Sequence, residues 1–263
     1  MTTDLTEPWS AAGVPREHDG LGVGVLVLHG FTGSPASVRP WAEHLNQAGY
    51  AVAVPRLPGH GTRWQDLNRT TYADWYAEAE SAFEKLASDC DRIVVAGLSM
   101  GGCLALDLAE RRGRDVTGLV LVNPLVNRDR RDIVLLPLLK HVVPAFPGVS
   151  NDIKKVGSDE VAYARTPLRA AHSMFQGIRV VRSRLPEVTQ PLLLFRSRTD
   201  KVVDPSSGRI IMATVSSRDL EERVLEDSYH VATLDHDAPA VFDGTVEFVR
   251  RVTGDARPTG PAA

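Results

Sequence analysis

Apolar residues occur along the chain in two patterns that alternate with each other. Residues 23–28 form an unbroken run of Val, Leu and Gly, which is typical of a strand buried on both faces of a sheet. Within residues 74–87, apolar side chains such as Trp75 and Phe83 recur at the spacing of one helical face. Strands are predicted on this basis at residues 23–28, 50–54, 92–96, 118–122, 191–195 and 220–225. Helices are predicted at residues 34–49, 74–87, 102–112, 205–215 and 239–252.

This order of elements predicts an α/β fold. Strands that alternate with helices and carry no outward polar positions form a mostly parallel sheet that helices cover on both faces. The first twenty residues and the last ten are polar and rich in turn-forming residues, so we expect no regular element in either stretch.

The alternation stops between residues 123 and 185. About 60 residues are too many for an ordinary connection between two elements. The stretch contains an apolar run at 133–143 and helical patterns at 159–164 and 168–185. Because open α/β sheets bind ligands at the carboxyl ends of their strands, we interpret the stretch as a cap inserted over that edge. An additional helical layer without a functional role is the alternative. The predicted domains are a core of residues 1–122 and 186–263 and a cap of residues 123–185.

The composition fits one globular domain, or one domain with an insertion, and excludes several classes of protein. The chain has 263 residues, of which 43% are hydrophobic, and this is enough for a core. Its 30 basic and 33 acidic residues leave a net charge of −3. Because they form no basic stripe, we expect no nucleic-acid partner.

Features of secreted and membrane proteins are missing from the sequence. The two cysteines, Cys90 and Cys103, are too few for a disulfide framework and match no zinc motif. The first twenty residues have neither the basic nor the apolar region of a signal peptide. The longest apolar run, at residues 21–28, is far shorter than the ~20 residues that span a bilayer. We therefore expect a cytoplasmic protein.

The pentapeptide Gly-Leu-Ser-Met-Gly at residues 97–101 matches the motif G-x-S-x-G. It lies between the predicted strand 92–96 and the predicted helix 102–112, which is the context that this motif requires. A sharp turn from strand to helix exposes the Ser99 hydroxyl beside the amino end of a helix, where developing negative charge is favoured. A chance Gly-Ser-Gly turn is the alternative, and the flanking elements argue against it. We expect Ser99 to be a nucleophile.

A serine hydroxyl needs a base to remove its proton and a third group to orient that base. In this fold the triad follows the chain order Ser, acid, His, so the histidines before Ser99 are eliminated. His141 and His172 lie in the predicted cap, before the strands that should supply the acid. His230 follows the predicted strand 220–225 by a short loop, whereas His236 lies close to the last helix. The sequence favours His230 as the base.

Three aspartates compete for the role of the acid. Asp200 lies just past the predicted strand 191–195, where it can reach the edge of the sheet. Asp204 precedes Pro205 and is better explained as the cap of a helix that begins with proline. Asp227 lies on the same loop as His230. We therefore predict Asp200.

An oxyanion hole requires two backbone amides near the nucleophile. Met100, directly after Ser99, supplies the first, and Phe31 in the glycine-containing loop after strand 23–28 supplies the second. His29 in the same loop is expected to form structural hydrogen bonds, and the Gly-His-Gly turn at residues 59–61 is expected to be part of the loop architecture.

No motif in the sequence indicates a cofactor. A glycine-rich stretch at residues 20–24 precedes its strand, whereas a dinucleotide-binding loop follows one. The sequence has no Walker motif, no H-E-x-x-H and no EF-hand loop. We expect neither a cofactor nor a metal ion.

Taken together, four motifs resemble those of bacterial monoacylglycerol lipases of the α/β-hydrolase superfamily. They are H-G-F-T-G-S at 29–34, P-G-H-G-T at 58–62, G-L-S-M-G-G at 97–102 and S-Y-H-V-A-T-L-D at 228–235. The similarity extends from about residue 22 to residue 251 and is weakest at residues 126–148. A related group of bacterial carboxylesterases shares the first two motifs and is the alternative.

The resemblance implies an α/β-hydrolase fold with an inserted cap, and it implies the same triad of Ser99, Asp200 and His230. It also implies Phe31 and Met100 amides in the oxyanion hole. In these lipases a cap glutamate holds the glycerol end of the substrate, and Glu160 lies at the matching place. A solvated helix residue is the alternative for Glu160. Val149 matches an apolar gate residue.

The expected protein is thus a serine hydrolase that cleaves monoacylglycerols to glycerol and free fatty acid through an acyl-enzyme. Its expected partner is a small-molecule lipid ester, which the apolar cap segment would shelter, and the cap could also contact lipid aggregates transiently. The alternatives are a carboxylesterase acting on short- to medium-chain esters and a catalytically silent scaffold of the same fold that binds a ligand. The sequence does not decide the oligomeric state.

Overall fold

The computed structural model describes residues 4–14, 22–127, 136–148 and 150–254. Within these ranges the strands are β1 (Trp9–Ala11), β2 (Gly22–Leu28), β3 (Ala51–Val54), β4 (Cys90–Leu98), β5 (Val116–Val122), β6 (Ala145–Pro147), β7 (Arg165–Pro167), β8 (Leu192–Ser197) and β9 (Leu220–Leu225). The α-helices are α1 (Arg39–Gln47), α2 (Trp64–Leu67), α3 (Tyr72–Ala87), α4 (Met100–Arg112), α5 (Leu136–Leu139), α6 (Leu168–Arg184), α7 (Ser206–Thr214) and α8 (Ala238–Thr253). Short 3-10 helices lie at Pro35–Ser37, Gly113–Asp115, Leu185–Glu187 and Ala232–Leu234.

The main sheet has seven strands in the order β1-β3-β2-β4-β5-β8-β9. All neighbouring pairs are parallel except β1 and β3, which are antiparallel. This arrangement confirms the expected α/β class with a mostly parallel sheet. The edge strand β1 lies in the stretch for which no regular element was expected, so that part of the prediction was wrong. Three residues that pair only along their backbone leave too little side-chain pattern to reveal a strand.

Helices cover both faces of the sheet, and the side chains of β2 show why its sequence is apolar throughout. Val25 and Val27 point into the core formed with α1 and α8. Leu26 and Leu28 point into the opposite core, which α3, α4 and α6 share. Because both faces are buried, no position of the strand is left for a polar side chain.

Local chemistry sets several boundaries that differ from the predicted ones. Helix α3 begins at Tyr72 because Thr71 and Asp74 form a capping box, in which the Thr71 amide donates to the Asp74 carboxylate at 2.8 Å. The helical pattern expected at 159–164 was wrong, since these residues form no regular element. There the Asp159 carboxylate accepts the Val161 amide at 2.8 Å, and Val161 has a φ of 53°.

The carboxyl ends of the central strands lie side by side. Leu28 of β2 pairs with Gly97 of β4, and Leu98 pairs with Val122 of β5. Farther along the sheet, Val122 pairs with Phe195 of β8. The loops that follow β2, β4, β5 and β8 therefore begin at one edge, where residues distant in the sequence come together.

The connection between β5 and β8 contains a second, small sheet and helix α6, which packs on the core. Strands β6 and β7 form a two-stranded antiparallel sheet. Helix α6 packs on α3, and Gly177 lies so close to the Tyr72 ring that a Cβ would be 2.3 Å from it.

Among the described residues, no helix is both long enough and apolar enough to cross a bilayer. The cap boundaries at 123 and 185 stay a prediction.

Candidate active site

Ser99 lies at the turn from β4 into α4 in a backbone conformation that serine rarely adopts. Its φ is 57° and its ψ is −116°. The turn is held by its own backbone: the Ser99 amide donates to the Val122 carbonyl at 3.0 Å, and the Ser99 carbonyl accepts the Leu125 amide at 3.1 Å. Strain of this kind persists where the surroundings over-determine the conformation, as they do here, and it is frequent at functional sites.

The glycines of the motif are required because backbone atoms leave no space for a Cβ. At Gly97 a Cβ would lie 2.3 Å from the Gly101 carbonyl carbon. At Gly101 it would lie 2.1 Å from the Leu28 carbonyl oxygen. Strand β4, helix α4 and strand β2 therefore approach each other as closely as the glycines allow, and this contact forms the sharp turn.

The loop after β2 lies directly against Ser99. A Cβ on Gly30 would be 3.3 Å from the Ser99 Cβ. The buried His29 holds this loop, because its Nδ1 donates to the Gly30 carbonyl at 3.0 Å and its Nε2 accepts the Leu57 amide at 3.2 Å. Burial lowers the pKa of His29 to about 4, so its ring is neutral at pH 7. His29 is thus a structural hydrogen-bonding residue, as expected.

The structure places the two amides predicted for the oxyanion hole beside this contact. Met100 is the first residue of α4, and the first amide of a helix has no partner within the helix. Phe31 follows Gly30 in the loop that touches Ser99. The Phe31 ring packs on Trp75 with a centroid separation of 5.6 Å and an interplanar angle of 56°.

Two further loops bring His230 and Asp200 together in a buried hydrogen-bonded pair. The Nδ1 of His230 donates to Asp200 Oδ2 at 2.8 Å, and the two side chains are only 9% and 5% exposed. The other oxygen, Asp200 Oδ1, accepts the amides of Val202 and Val203, both at 2.8 Å. The hydrogen bond from His230 Nδ1 to Asp200 Oδ2 places the proton of the neutral ring on Nδ1. Nε2 therefore has a free lone pair and can act as a base.

Opposing effects set the pKa of His230. Burial lowers it, whereas the nearby Asp200 carboxylate raises it through its charge and its hydrogen bond. Glu160 and Asp152 add further negative charge, and the net result is a raised pKa. Among the described contacts, the Ser99 hydroxyl and the His230 ring form no hydrogen bond with each other. Catalytic hydrogen bonds are often long before the substrate binds.

The residues that competed with this pair lie elsewhere. Asp204 is exposed and accepts the Ser206 amide at 2.8 Å, but Pro205 and not Asp204 is the N-cap of α7, which begins at Ser206. Asp227 is exposed and forms an ion pair with the Lys154 ammonium. His236 is exposed to solvent.

Asn123, directly after β5, is a part of the site that the sequence reasoning missed. Its Nδ2 donates to the His230 carbonyl at 2.8 Å and to the Ser197 hydroxyl at 2.9 Å, and its Oδ1 accepts the Ser197 amide at 2.8 Å. The φ of Asn123 is 45°, a region that asparagine tolerates better than most residues. An asparagine at the carboxyl end of a central strand was the available signal.

Residues 150–163, which we call the bridging segment, contact the loop after β2. The Tyr163 amide donates to the Thr32 carbonyl at 3.0 Å. Glu160 is partly buried, and its Oε1 accepts the Asn151 amide at 2.6 Å. Its Oε2 lies 3.8 Å from where a Cβ of Gly33 would be. Burial raises the pKa of Glu160, although the Asn151 amide and the His230 charge oppose the shift.

Val149 lies outside the described residues. Among the described residues there is no group of three or more His, Cys, Asp and Glu side chains that could hold a metal ion.

Comparison with known proteins shows the family to which this chain belongs. A family model described as serine aminopeptidase, S33, matches residues 23–237. The chain belongs to this family. It is 40% identical over 233 residues to a thermostable monoacylglycerol lipase from Bacillus sp. (strain H-257), covering 88% of this chain and 92% of the relative. It is 27% identical over 231 residues to a carboxylesterase from Bacillus subtilis (strain 168), covering 87% of this chain and 92% of that protein.

A solved structure agrees with the sequence comparison. It comes from a study of the metagenome-derived lipolytic enzymes LipS and LipT, is 37% identical and superposes with a TM-score of 0.89. The match covers 94% of this chain and 98% of that chain. The expected resemblance to the lipase and carboxylesterase group is thereby confirmed, and so is the α/β-hydrolase fold.

Proposed function

We propose that this protein is a serine hydrolase that cleaves monoacylglycerols to glycerol and a free fatty acid. The observation that carries the proposal is the buried His230–Asp200 hydrogen bond at the same edge of the sheet as the strained Ser99. In addition, this chain is 40% identical to a protein named as a monoacylglycerol lipase. The assignments of nucleophile, base, acid and oxyanion donors that follow belong to this proposal.

In the first half-reaction, Ser99 Oγ attacks the ester carbonyl carbon while His230 Nε2 takes the hydroxyl proton. Asp200 stabilises the imidazolium and keeps the ring in place. The amides of Phe31 and Met100 donate to the negatively charged oxygen of the tetrahedral intermediate. Collapse of this intermediate breaks the bond to the glycerol oxygen. His230 then returns the proton to the departing glycerol, and the acyl group remains on Ser99.

In the second half-reaction, water attacks the acyl-enzyme with His230 as the base. A second tetrahedral intermediate forms in the same oxyanion hole and collapses to the fatty acid, and Ser99 recovers its proton from His230. Carboxylic ester hydrolysis therefore needs no group beyond those that this chain supplies.

An apolar cluster beside the oxyanion loop supports an acyl chain as part of the substrate. Buried side chains of Leu136, Leu168 and Ala171 pack together, and Phe31 and Phe175 pack against them. The cluster joins the loop near Ser99 to the predicted cap, so an alkyl tail entering from Ser99 meets apolar surface.

The polar end of the substrate requires a different surface. Glu160 lies near Gly33 on the other side of the same loop, with one carboxylate oxygen bound by the Asn151 amide. The second oxygen is directed toward the loop and can accept a hydrogen bond from a glycerol hydroxyl. Val149 would act as an apolar gate in the same proposal.

A carboxylesterase acting on short- to medium-chain esters is the second candidate, because the B. subtilis relative with that name is covered almost completely. Both candidates use the same triad and differ in the leaving group and the chain length. The silent scaffold is disfavoured by the buried His230–Asp200 hydrogen bond, because a histidine and a carboxylate paired out of solvent are frequent at catalytic sites.

Contact with lipid aggregates is a further part of the proposal. Leu138 and Val142 are 72% and 77% exposed, and Phe146 on β6 is 44% exposed. Three exposed apolar side chains within nine residues of the chain favour a transient association with a lipid surface. We also propose a cytoplasmic location, which the two buried free cysteines support.

A substrate panel tests the proposal. Fatty acid release is measured from mono-, di- and triacylglycerols of one chain length and from short p-nitrophenyl esters, with Ser99→Ala as the control. The proposal predicts the highest kcat/KM on long-chain monoacylglycerol and no activity in the variant. Equal or better activity on short, glycerol-free esters would instead support the carboxylesterase. Equal activity on diacylglycerol would contradict the proposed preference for monoacylglycerols.

A further inference from the structure

The bridging segment reaches the loop of His230 through one buried carboxylate. Asp152 Oδ2 accepts the backbone amide of His230 at 3.2 Å. The Asp152 carbonyl oxygen accepts the next amide, that of Val231, at 3.1 Å. Two successive amides of the histidine loop are therefore bound to a single residue of a segment that is 78 positions away in the sequence.

The same carboxylate also binds the loop of Asp200. Asp152 Oδ2 accepts the Lys201 amide at 3.2 Å, and Oδ1 lies 3.7 Å from the Lys201 ammonium. Asp152 is only 8% exposed. A buried carboxylate is costly unless hydrogen bonds and an opposite charge compensate it, and both are present here. Asp152 thus joins the two loops that carry the acid and the base.

A second carboxylate fixes the other side of the histidine loop. Asp235, 1% exposed, accepts the Tyr229 amide at 2.9 Å and the Lys155 amide of the bridging segment at 2.9 Å. The amides before, at and after His230 are therefore all bound by these two aspartates. This arrangement determines the backbone position of His230 and leaves its ring to Asp200.

We propose that Asp152 is a positioning residue for His230, holding the base and the acid in register from the bridging segment. The proposal rests on the proposed function, since it concerns how the same triad is aligned. The bridging segment thus affects the rate of the reaction as well as the shape of the substrate pocket.

Charge gives Asp152 a second effect on the same ring. Three charged groups face His230. Asp200 lies in the loop after β8, and Glu160 and Asp152 lie in the bridging segment. Lys201 lies beside Asp152 and offsets part of its charge. The net negative charge stabilises the imidazolium that forms when Ser99 loses its proton, so loss of Asp152 makes His230 a weaker base.

Two substitutions separate the hydrogen bonds from the charge. In Asp152→Asn the amide oxygen can still accept from His230 and Lys201, so only the charge is lost. In Asp152→Ala both are lost. The matched control is Asp227→Asn, which removes an equal charge and an ion pair to the bridging segment at an exposed position of the same loop.

The experiment measures kcat, KM and the pH profile of kcat/KM on a long-chain monoacylglycerol, with thermal unfolding of each variant. Asp152→Asn is expected to move the acid limb of kcat/KM to lower pH by about half a unit. Asp152→Ala is expected to lower kcat about tenfold or more with KM within about threefold, because the base is displaced. Asp227→Asn is expected to behave as the parent chain.

The proposal is overturned if Asp152→Asn keeps the parental acid limb and Asp152→Ala keeps the kcat of the Asp227→Asn control. A variant that melts earlier but retains kcat and pH profile at a temperature where it is folded also overturns it. If Asp152→Ala does not fold, the acid limb of Asp152→Asn decides. Absence of activity in the parent chain would contradict the proposed function, whereas a difference limited to the variants concerns Asp152 alone.

Discussion

The side-chain amide of Asn123 donates a hydrogen bond to the backbone carbonyl of His230 at 2.8 Å. The residue before it, Val122, accepts the backbone amide of Ser99 at 3.0 Å. The end of strand β5 therefore supports the candidate nucleophile on one side and the candidate base on the other. Their relative position depends on two neighbouring residues of one strand, which explains why an asparagine with a positive φ is used there.

Replacement of Asn123 by alanine should damage both stability and catalysis. The variant leaves the His230 carbonyl and the Ser197 amide without a partner and places alanine at a φ of 45°, so we expect a loss of about 3 kcal/mol in the free energy of unfolding. It should also lower kcat about tenfold. Denaturant unfolding and kinetics check both. Asn46→Ala, which loses two side-chain bonds to backbone far from the site, should lower stability and leave kcat unchanged.

Replacement of Gly101 by alanine should abolish the sharp turn at Ser99. A Cβ there would lie 2.1 Å from the Leu28 carbonyl oxygen, and backbone cannot give way as a side chain can. We expect kcat/KM to fall by a factor of roughly 100 or more, because small displacements of reacting groups have large effects. Gly22→Ala is the control, since its nearest atoms are 3.9 Å away. Equal kinetics of the two variants would contradict this account of the motif.

Glu110 on α4 should make the fold less stable at alkaline pH. Its side chain is fully buried, neither carboxylate oxygen has a hydrogen-bond partner within the described structure, and Arg184 is 4.0 Å away. Burial and the nearby Asp107 raise its pKa from 4.5 to about 8. Between these two values the folded chain keeps a proton that the unfolded chain has released. The stability is therefore fully present below about pH 4.5 and decreases as the pH rises toward 8.

The variant Glu110→Gln removes this titration. From pH 6 to pH 9 the parent should lose about 2 kcal/mol more stability than the variant does. Chemical denaturation at both pH values measures the difference, with the exposed Glu247→Gln as the control. Parallel stability curves for the parent and Glu110→Gln would show that Glu110 is ionised in the folded state throughout this range.

The exposed apolar side chains of the predicted cap should determine binding to lipid vesicles. The double variant Leu138→Ser and Val142→Ser removes two side chains that are 72% and 77% exposed, and we expect binding to neutral phosphatidylcholine vesicles to fall about tenfold. Val156→Ser is the control, because Val156 is 98% exposed and lies in the bridging segment, 14 positions after Val142 in the sequence. Sedimentation with vesicles measures the bound fraction. If the double variant and the control bind as the parent does, the proposed lipid contact is wrong.

The sequence was sufficient to predict six of the seven strands of the main sheet and the residues that follow their carboxyl ends. Because a parallel sheet brings its carboxyl ends to one edge, chain order and the position of each candidate after a strand together favoured Ser99, Asp200 and His230. The glycines of the serine motif could be interpreted in the same way, since their requirement comes from a local turn.

Contacts between distant segments could not be predicted in this way. Asp152 binds the His230 amide across 78 positions, and such a contact leaves no periodic pattern in the sequence. Asn123 lies at the end of a central strand, which was a signal, but its partners Ser197 and His230 are 74 and 107 positions away. The helix expected at 159–164 failed because the Asp159 side chain captures a backbone amide that a helix would use.

Covalent labelling of the nucleophilic serine tests the central claim most directly. The protein is treated with a fluorophosphonate probe, digested, and the labelled peptide is sequenced by mass spectrometry, with Ser99→Ala and His230→Ala in parallel. The account predicts one label, on Ser99, that is absent from Ser99→Ala and forms more than about 100-fold more slowly in His230→Ala. Labelling of another residue, or equal labelling of Ser99→Ala, would contradict it.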